Sequence, residues 1–289
     1  MTTIDDNDIP TVRVGSRDVP AAATMVVRVG YRGQDFNGFA EQPDQRTVAG
    51  DLRRALETFL RRPVELTCAG RTDAGVHSMS CAQHVSLPVT ADELAIDGRT
   101  LQRALTALVD DDVSIGGVFR ARAGFSARFD AVSRSYRYRI CEGWVRPVMA
   151  WEHAWWLRAA LDSEAMDEAA RCLEGEHDFK SFCKASSAVG KPTCRYVESC
   201  RVSRIEEAGE SLLALDITGN AFLHSMVRTI TGTLVEVGRG HRDAAWVADV
   251  LSACDRRAAG QCAPAKGLSF AAVEYPDGSL EPWPYAGRD

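Results

Sequence analysis

Apolar residues in this chain recur at period two and at helical period, in the order β-α-β-β-α-β, and that order appears twice. It predicts an α+β fold. Two ferredoxin-like units would lie side by side, forming a mixed, mainly antiparallel sheet with helices packed on it and a central active-site cleft. The composition agrees: 289 residues, 45% hydrophobic and 26% charged, suit one large globular domain or two of ordinary size.

Residues 1–23 are polar and acidic, with Pro10 and Pro20, and read as a disordered tail. Met25 to Tyr31 alternates as a strand, with Val27, Val29 and Tyr31 on one face. After a loop rich in Gly, Asp, Asn and Gln, Thr47 is placed to cap a helix through Val48, Leu52, Ala55, Leu56 and Phe59, which Pro63 stops. Val64 to Ala69 reads as the next strand. His84 to Leu87 anchors another, ended by Pro88. Leu101 to Val109 is helical and Val113 to Phe119 extended. This first subdomain spans 24–131.

The second subdomain, 132–278, repeats the elements without clear sequence similarity. Arg134 to Cys141 is a strand, and Ser163 caps a helix to about Leu173. Tyr196 to Ile205 and Ser211 to Thr218 form a hairpin across Glu206 to Gly209. A helix runs from about Leu223 to Val237, and Gly238 stops it. A further helix, Ala244 to Ala253, precedes the last strand, Leu268 to Tyr275. Residues 279–289 read as a C-terminal tail.

Composition excludes several classes. No apolar run approaches the roughly eighteen residues of a membrane span. Met1 to Pro10 carries three Asp and no apolar core, unlike a signal peptide. The nine Cys are odd in number and lack a C-x-x-C spacing, which suits reduced cytoplasmic thiols. Cys68, His77, Cys81 and His84 lie close in sequence, but on a strand Cys81 and His84 would point to opposite faces, so no metal site is assigned. Net charge is −6, which is awkward for a nucleic-acid partner. However, Gly117 to Arg139 holds six arginines and one acid, interleaved with Phe125, Phe129, Tyr136 and Tyr138, and favours a nucleic-acid surface.

The stretch most able to carry chemistry is Gly70-Arg71-Thr72-Asp73-Ala74-Gly75-Val76-His77. Two glycines permit a sharp turn and close approach. Arg71 offers a planar fork to a phosphate or base edge. Asp73 is the only acid within seven residues on either side. Spacing alone allows two readings, a reactive carboxylate or a turn whose Asp caps its own backbone.

The words of the motif resemble the signature of the pseudouridine synthases that act on tRNA, the tRNA pseudouridine synthase A family. The resemblance continues through Arg134-Ser135-Tyr136-Arg137-Tyr138, Leu173 to Phe179, Gly219 to Arg228, Glu236 to Gly238 and Ala263 to Leu268. It thus covers about Met25 to Pro276 in matching order. It implies Asp73 as the catalytic acid, Tyr136 as the ring that stacks on the target uracil, and Arg228 as the partner of the acid. Candidate substrate contacts are Tyr136, Arg71, His77, Leu268, Arg128 and Arg134. It also implies tRNA as partner, the anticodon stem-loop at positions 38 to 40 as target, and a homodimer. No cofactor is implied, because the isomerisation uses only atoms already in the substrate. The chain departs from the family at Ser80-Cys81, Gly38-Phe39-Ala40 and Ala107-Leu108-Val109, none of which is a proposed catalytic residue. The competing class is a tandem RNA-recognition module without catalysis, whose aromatic sheet signature is absent.

Overall fold

The computed structural model describes residues 9–284. It is a mixed α+β protein in two compact units. The first gathers the chain up to Ala74, Ser78–Val132 and the chain from Val273 onward; the second takes Gly75–His77 and Ser133–Ala272.

The first unit opens with a hairpin, β1 (Thr11–Val14) and β2 (Arg17–Pro20), in a stretch whose composition suggested disorder. One side chain explains the difference: Val12 is buried, and the Ala21 N–H closes on the Pro10 carbonyl. Of the expected tail, residues 1–8 lie outside the described residues. Next come β3 (Ala23–Tyr31) and helix α1 (Val48–Leu60). The Thr47 hydroxyl accepts from Gly50 N as its cap, and Val48, Leu52, Ala55 and Leu56 are buried. The helix ends at Arg61, which is left-handed, two residues before Pro63.

The strand expected over Val64–Ala69 shrinks to β4, Thr67–Cys68, because the Val64 N–H is taken by the Glu57 carboxylate. By contrast, β5 is long, His77–Val89, and runs through Pro88. That proline lies opposite Thr24, while β4 pairs only as far as Ser86, so its missing N–H breaks no bond on that side. Short α2 (Ala91–Leu94), α3 (Gly98–Leu108, capped by Asp97) and β6 (Val113–Ala121) complete the run. The strands lie in the order β6-β3-β5-β4, all antiparallel.

Residues 279–284 are no tail. Glu281–Pro282 pairs with β6, and Trp283 is fully buried among Val27, Leu52, Leu101 and Leu105. Its indole donates to the Ile96 carbonyl at 2.9 Å, and its backbone N–H to Val118 at 3.1 Å. Trp283→Ala should therefore destabilise the protein by about 3–5 kcal/mol. A urea midpoint unchanged from wild type would show that the indole adds nothing.

The second unit holds β7 (Ser133–Glu142), β8 (Trp155–Leu157, parallel to β7), α4 (Ser163–Arg171), β9 (Gly175–Asp178) and short α5 (Ala185–Ala188). The cap of α4 is Asp162 rather than Ser163; its carboxylate accepts from Glu164 N and Ala165 N and adds negative charge at a helix start. β10 (Cys194–Glu207) and β11 (Glu210–Gly219) meet at Ala208-Gly209, both left-handed, a turn whose twist suits a two-residue hairpin. α6 (Met226–Gly238) starts later than expected, since Asn220 folds back onto the Tyr196 backbone and Ser225 is left-handed. α7 (Ala245–Ala253) and β12 (Leu268–Glu274) follow. The strand order is β12-β7-β11-β10-β9.

Candidate active site

In the first unit the Asp73 loop is held from behind. Gly70 exchanges two hydrogen bonds with the buried Gln83 amide: its N–H donates at 3.3 Å and its carbonyl accepts at 2.6 Å. The Thr72 hydroxyl is 2.8 Å from the Tyr31 hydroxyl, and the Thr72 carbonyl accepts from Phe39 N at 3.0 Å. Asp73 follows, half-buried, between exposed Arg71 and exposed Ala74. Gly38 packs against the same backbone. Its φ is +93°, and a Cβ there would stand 3.1 Å from the Thr72 oxygen and 3.3 Å from Ala74 N.

The loop bearing Gly38 is in turn clamped by Arg46. Its guanidinium donates to Asp112 at 2.7 and 2.9 Å, to Asp110 at 3.0 Å and to Asp51 at 3.1 Å, and lies 4.2 Å from the Phe36 ring centre. The hydrogen bond to Asp112 raises the arginine's pKa further, so the clamp is permanently charged.

Gly38→Ala should slow turnover by about tenfold to a hundredfold, because the loop must shift to admit the methyl. Gly15→Ala is the control: φ is also positive, at +60°, but nothing lies within 4 Å. Equal rates for the two variants would show that Gly38 does not set the Asp73 loop.

Arg71 and Arg128 both act on Cys68. Burial pushes that thiol up to about 11, and the two guanidiniums oppose the shift. Arg128 is exposed and stacks 5.7 Å from the ring of Phe129, itself exposed.

In the second unit one segment, Ala263–Leu268, gathers the other candidates. Arg228 Nε donates to the Ala263 carbonyl at 2.8 Å, and Ala263 N returns a bond to the Arg228 carbonyl at 3.0 Å. The Tyr138 hydroxyl donates to the Pro264 carbonyl at 2.7 Å; burial pushes the phenol's pKa up, and the Arg228 charge opposes it. A Cβ on Gly267 would meet the Tyr138 ring at 2.5 Å, and one on Gly75 would stand 3.2 Å from Ala265 Cβ. Leu268, at the end of this segment, is buried. His77 is buried too, and burial, then the nearby His153, lowers its pKa and favours the neutral ring.

Tyr136 shares a face of β7 with Tyr138, and is 8% exposed. Its ring meets Phe222 and Phe270 edge-on, at 5.0 and 5.1 Å between centroids. Arg134 is buried and donates to the Asn220 carbonyl at 2.7 Å.

Sequence reasoning missed Gly38, Gln83, Phe222 and Phe270. Phe270 had a signal: it lies two residues beyond Leu268 on the same strand. The arginine run also needs correction. Arg120 pairs with Glu281, Arg122 with Asp130, Arg137 with Asp216 and Arg139 with Glu207. Most of that run is thus neutralised within the protein, where opposite charges meet across strands.

All nine cysteines are free. Among the described residues, no group of three or more His, Cys, Asp or Glu is placed to hold a metal ion, and no helix is long and apolar enough to cross a membrane.

Comparison with known proteins gives the class first. A family model described as tRNA pseudouridine synthase matches residues 169–276. Whole-chain relatives then narrow it. The chain is 40% identical over 251 residues to tRNA pseudouridine synthase A of Aromatoleum aromaticum, covering 87% of this chain and 91% of that one. It is 40% identical over 247 residues to the Brevibacillus brevis protein of the same name, with 86% and 97% covered. For the Frankia casuarinae protein of that name the figures are 41% over 251 residues, with 86% and 88% covered. The chain belongs to the tRNA pseudouridine synthase A family.

Proposed function

We propose that the protein isomerises uridine to pseudouridine at positions 38 to 40 of the tRNA anticodon stem-loop, with Asp73 as nucleophile. The observation that supports this most is the eight-residue Gly70–His77 motif, with its single acid, in a chain of this family. The reaction breaks the bond from N1 of uracil to the ribose, turns the base, joins C5 to C1′ and releases the C5 proton. All the bonds exchanged belong to the substrate, which supports a reaction without cofactor.

The target base must leave its stack, at a cost of a few kcal/mol. Tyr136 is proposed as the platform that receives it; its fixed ring, set by Phe222 and Phe270, suits that role. A cation beside the attacking carboxylate favours its nucleophilic form, the role proposed for Arg228. Arg71, Arg128 and Arg134 are proposed RNA contacts, with His77 and Leu268 lining the base site.

We read each unit as ferredoxin-like. The orders β6-β3-β5-β4 and β12-β7-β11-β10 are the same permutation of chain order, with a helix after the first strand and another before the last. A homodimer is proposed on the family resemblance. A cytoplasmic setting is proposed on the free cysteines.

The test needs only the protein and unmodified tRNA. Carbodiimide labelling should reveal a mass-silent isomer of uridine within the anticodon stem-loop. Binding without any isomer would indicate an RNA-binding module instead.

A further inference from the structure

The loop at 143–154 displays apolar side chains that nothing in the proposed reaction uses. Trp144, Val145, Val148 and Met149 are 82%, 84%, 80% and 60% exposed, and Trp151 is 40% exposed. The loop is not slack. The Glu210 carboxylate accepts from three consecutive N–H groups, of Val148, Met149 and Ala150, at 2.6, 3.1 and 2.7 Å. Ala150 and Ala154 are buried beneath it, and the Trp156 indole donates to the Gly143 carbonyl at 3.0 Å. A fixed loop that exposes contiguous apolar groups marks an interaction site.

Charge indicates the occupant. Arg146 and Lys266 lie 4.8 and 4.0 Å from the centre of the Trp151 ring. Against these two cations the loop sets one exposed acid, Glu152, while the Glu210 carboxylate is committed to the loop's own N–H groups. Aromatic rings mixed with cations suit unpaired nucleotides, which offer stacking faces and phosphates together. Position agrees. Lys266 Nζ donates to the Trp151 carbonyl at 2.9 Å, and Lys266 belongs to the segment that holds Arg228 and Tyr138. The loop is therefore continuous with the second unit's part of the candidate site.

We propose that this loop is an RNA-stacking arm: Trp144 stacks on an unpaired base of the tRNA near the target uridine, and Arg146 contacts a neighbouring phosphate. The proposal rests on the synthase reading and extends it to a subsite flanking the reacting base. Trp144 is exposed enough for its replacement to leave folding intact.

The two residues predict different signatures. Trp144→Ala should weaken binding of a transcribed anticodon stem-loop by about tenfold, with an unchanged salt dependence, because stacking releases no counterions. The loss should appear in KM rather than in kcat, and Trp144→Phe should recover most of it. Arg146→Gln should lower the slope of log K against log salt by about 0.7, the value for one phosphate contact on a single strand.

Fluorescence anisotropy at several salt concentrations reads both effects, and sedimentation of each variant reads the oligomeric state. If wild type forms pseudouridine and Trp144→Ala binds RNA as well as wild type does, the arm is overturned and the synthase reading stands. If Trp144→Ala changes the oligomeric state and leaves RNA affinity intact, the patch is a contact between copies and the arm is likewise overturned. Wild-type protein that neither modifies nor binds tRNA overturns both.

Discussion

Asp73→Asn should fold, bind tRNA with near wild-type affinity and form no measurable pseudouridine, a loss of at least about a thousandfold. The amide has the shape of the carboxylate, so the supports of the loop survive. Gln83 still holds Gly70, Tyr31 still meets Thr72, and Gly38 still packs on the Thr72–Ala74 backbone. What disappears is the proposed nucleophile. Single-turnover assays on saturating unmodified tRNA separate this from a binding defect. Turnover within about tenfold of wild type would remove Asp73 from the chemistry. A parallel fall in affinity and rate would make it a binding residue instead.

Local signals were the legible ones. Thr47 as a helix cap, the helical spacing of Val48, Leu52, Ala55 and Leu56, and the extended stretch Arg134 to Cys141 each depend on neighbours within a few residues. The structure has them where their spacing placed them. The motif around Asp73 was equally plain, because its eight residues are contiguous.

What escaped depends on contacts far apart in the chain. Gly38 matters because it touches a backbone 34 to 36 residues later, which no window around Gly38 reveals. Trp283 sits in a polar, proline-bearing stretch that resembles a tail until β6 is there to pair with it. The arginines of 117–139 looked like a free basic face, since Glu281, Asp216 and Glu207 come from distant strands. The length of β5 was hidden for another reason. Ser80 and Cys81 are left-handed within it, and the register with β3 shifts there, so the alternation that would have announced a strand is broken.

Tyr136 has two possible jobs, and one pair of variants separates them. Tyr136→Phe keeps the ring, and the ring alone makes the contacts with Phe222 and Phe270. Its packing and its stacking face should persist, with tRNA affinity within about twofold of wild type. If the hydroxyl moves the C5 proton, turnover should still fall by at least about a hundredfold, the usual share of a positioned acid or base. The expectation is a slow Phe variant. The isomerisation must shed that proton. Asp73 is committed as the nucleophile in the proposed mechanism, and a guanidinium such as that of Arg228 has no acceptor atom. Tyr136→Leu removes the ring as well. It should lose affinity too, by about the 1–3 kcal/mol of one stacked base, and leave Phe222 and Phe270 without their edge-on partner. A Phe variant that turns over as fast as wild type would leave Tyr136 with stacking alone, and the proton acceptor would have to be another group at the site.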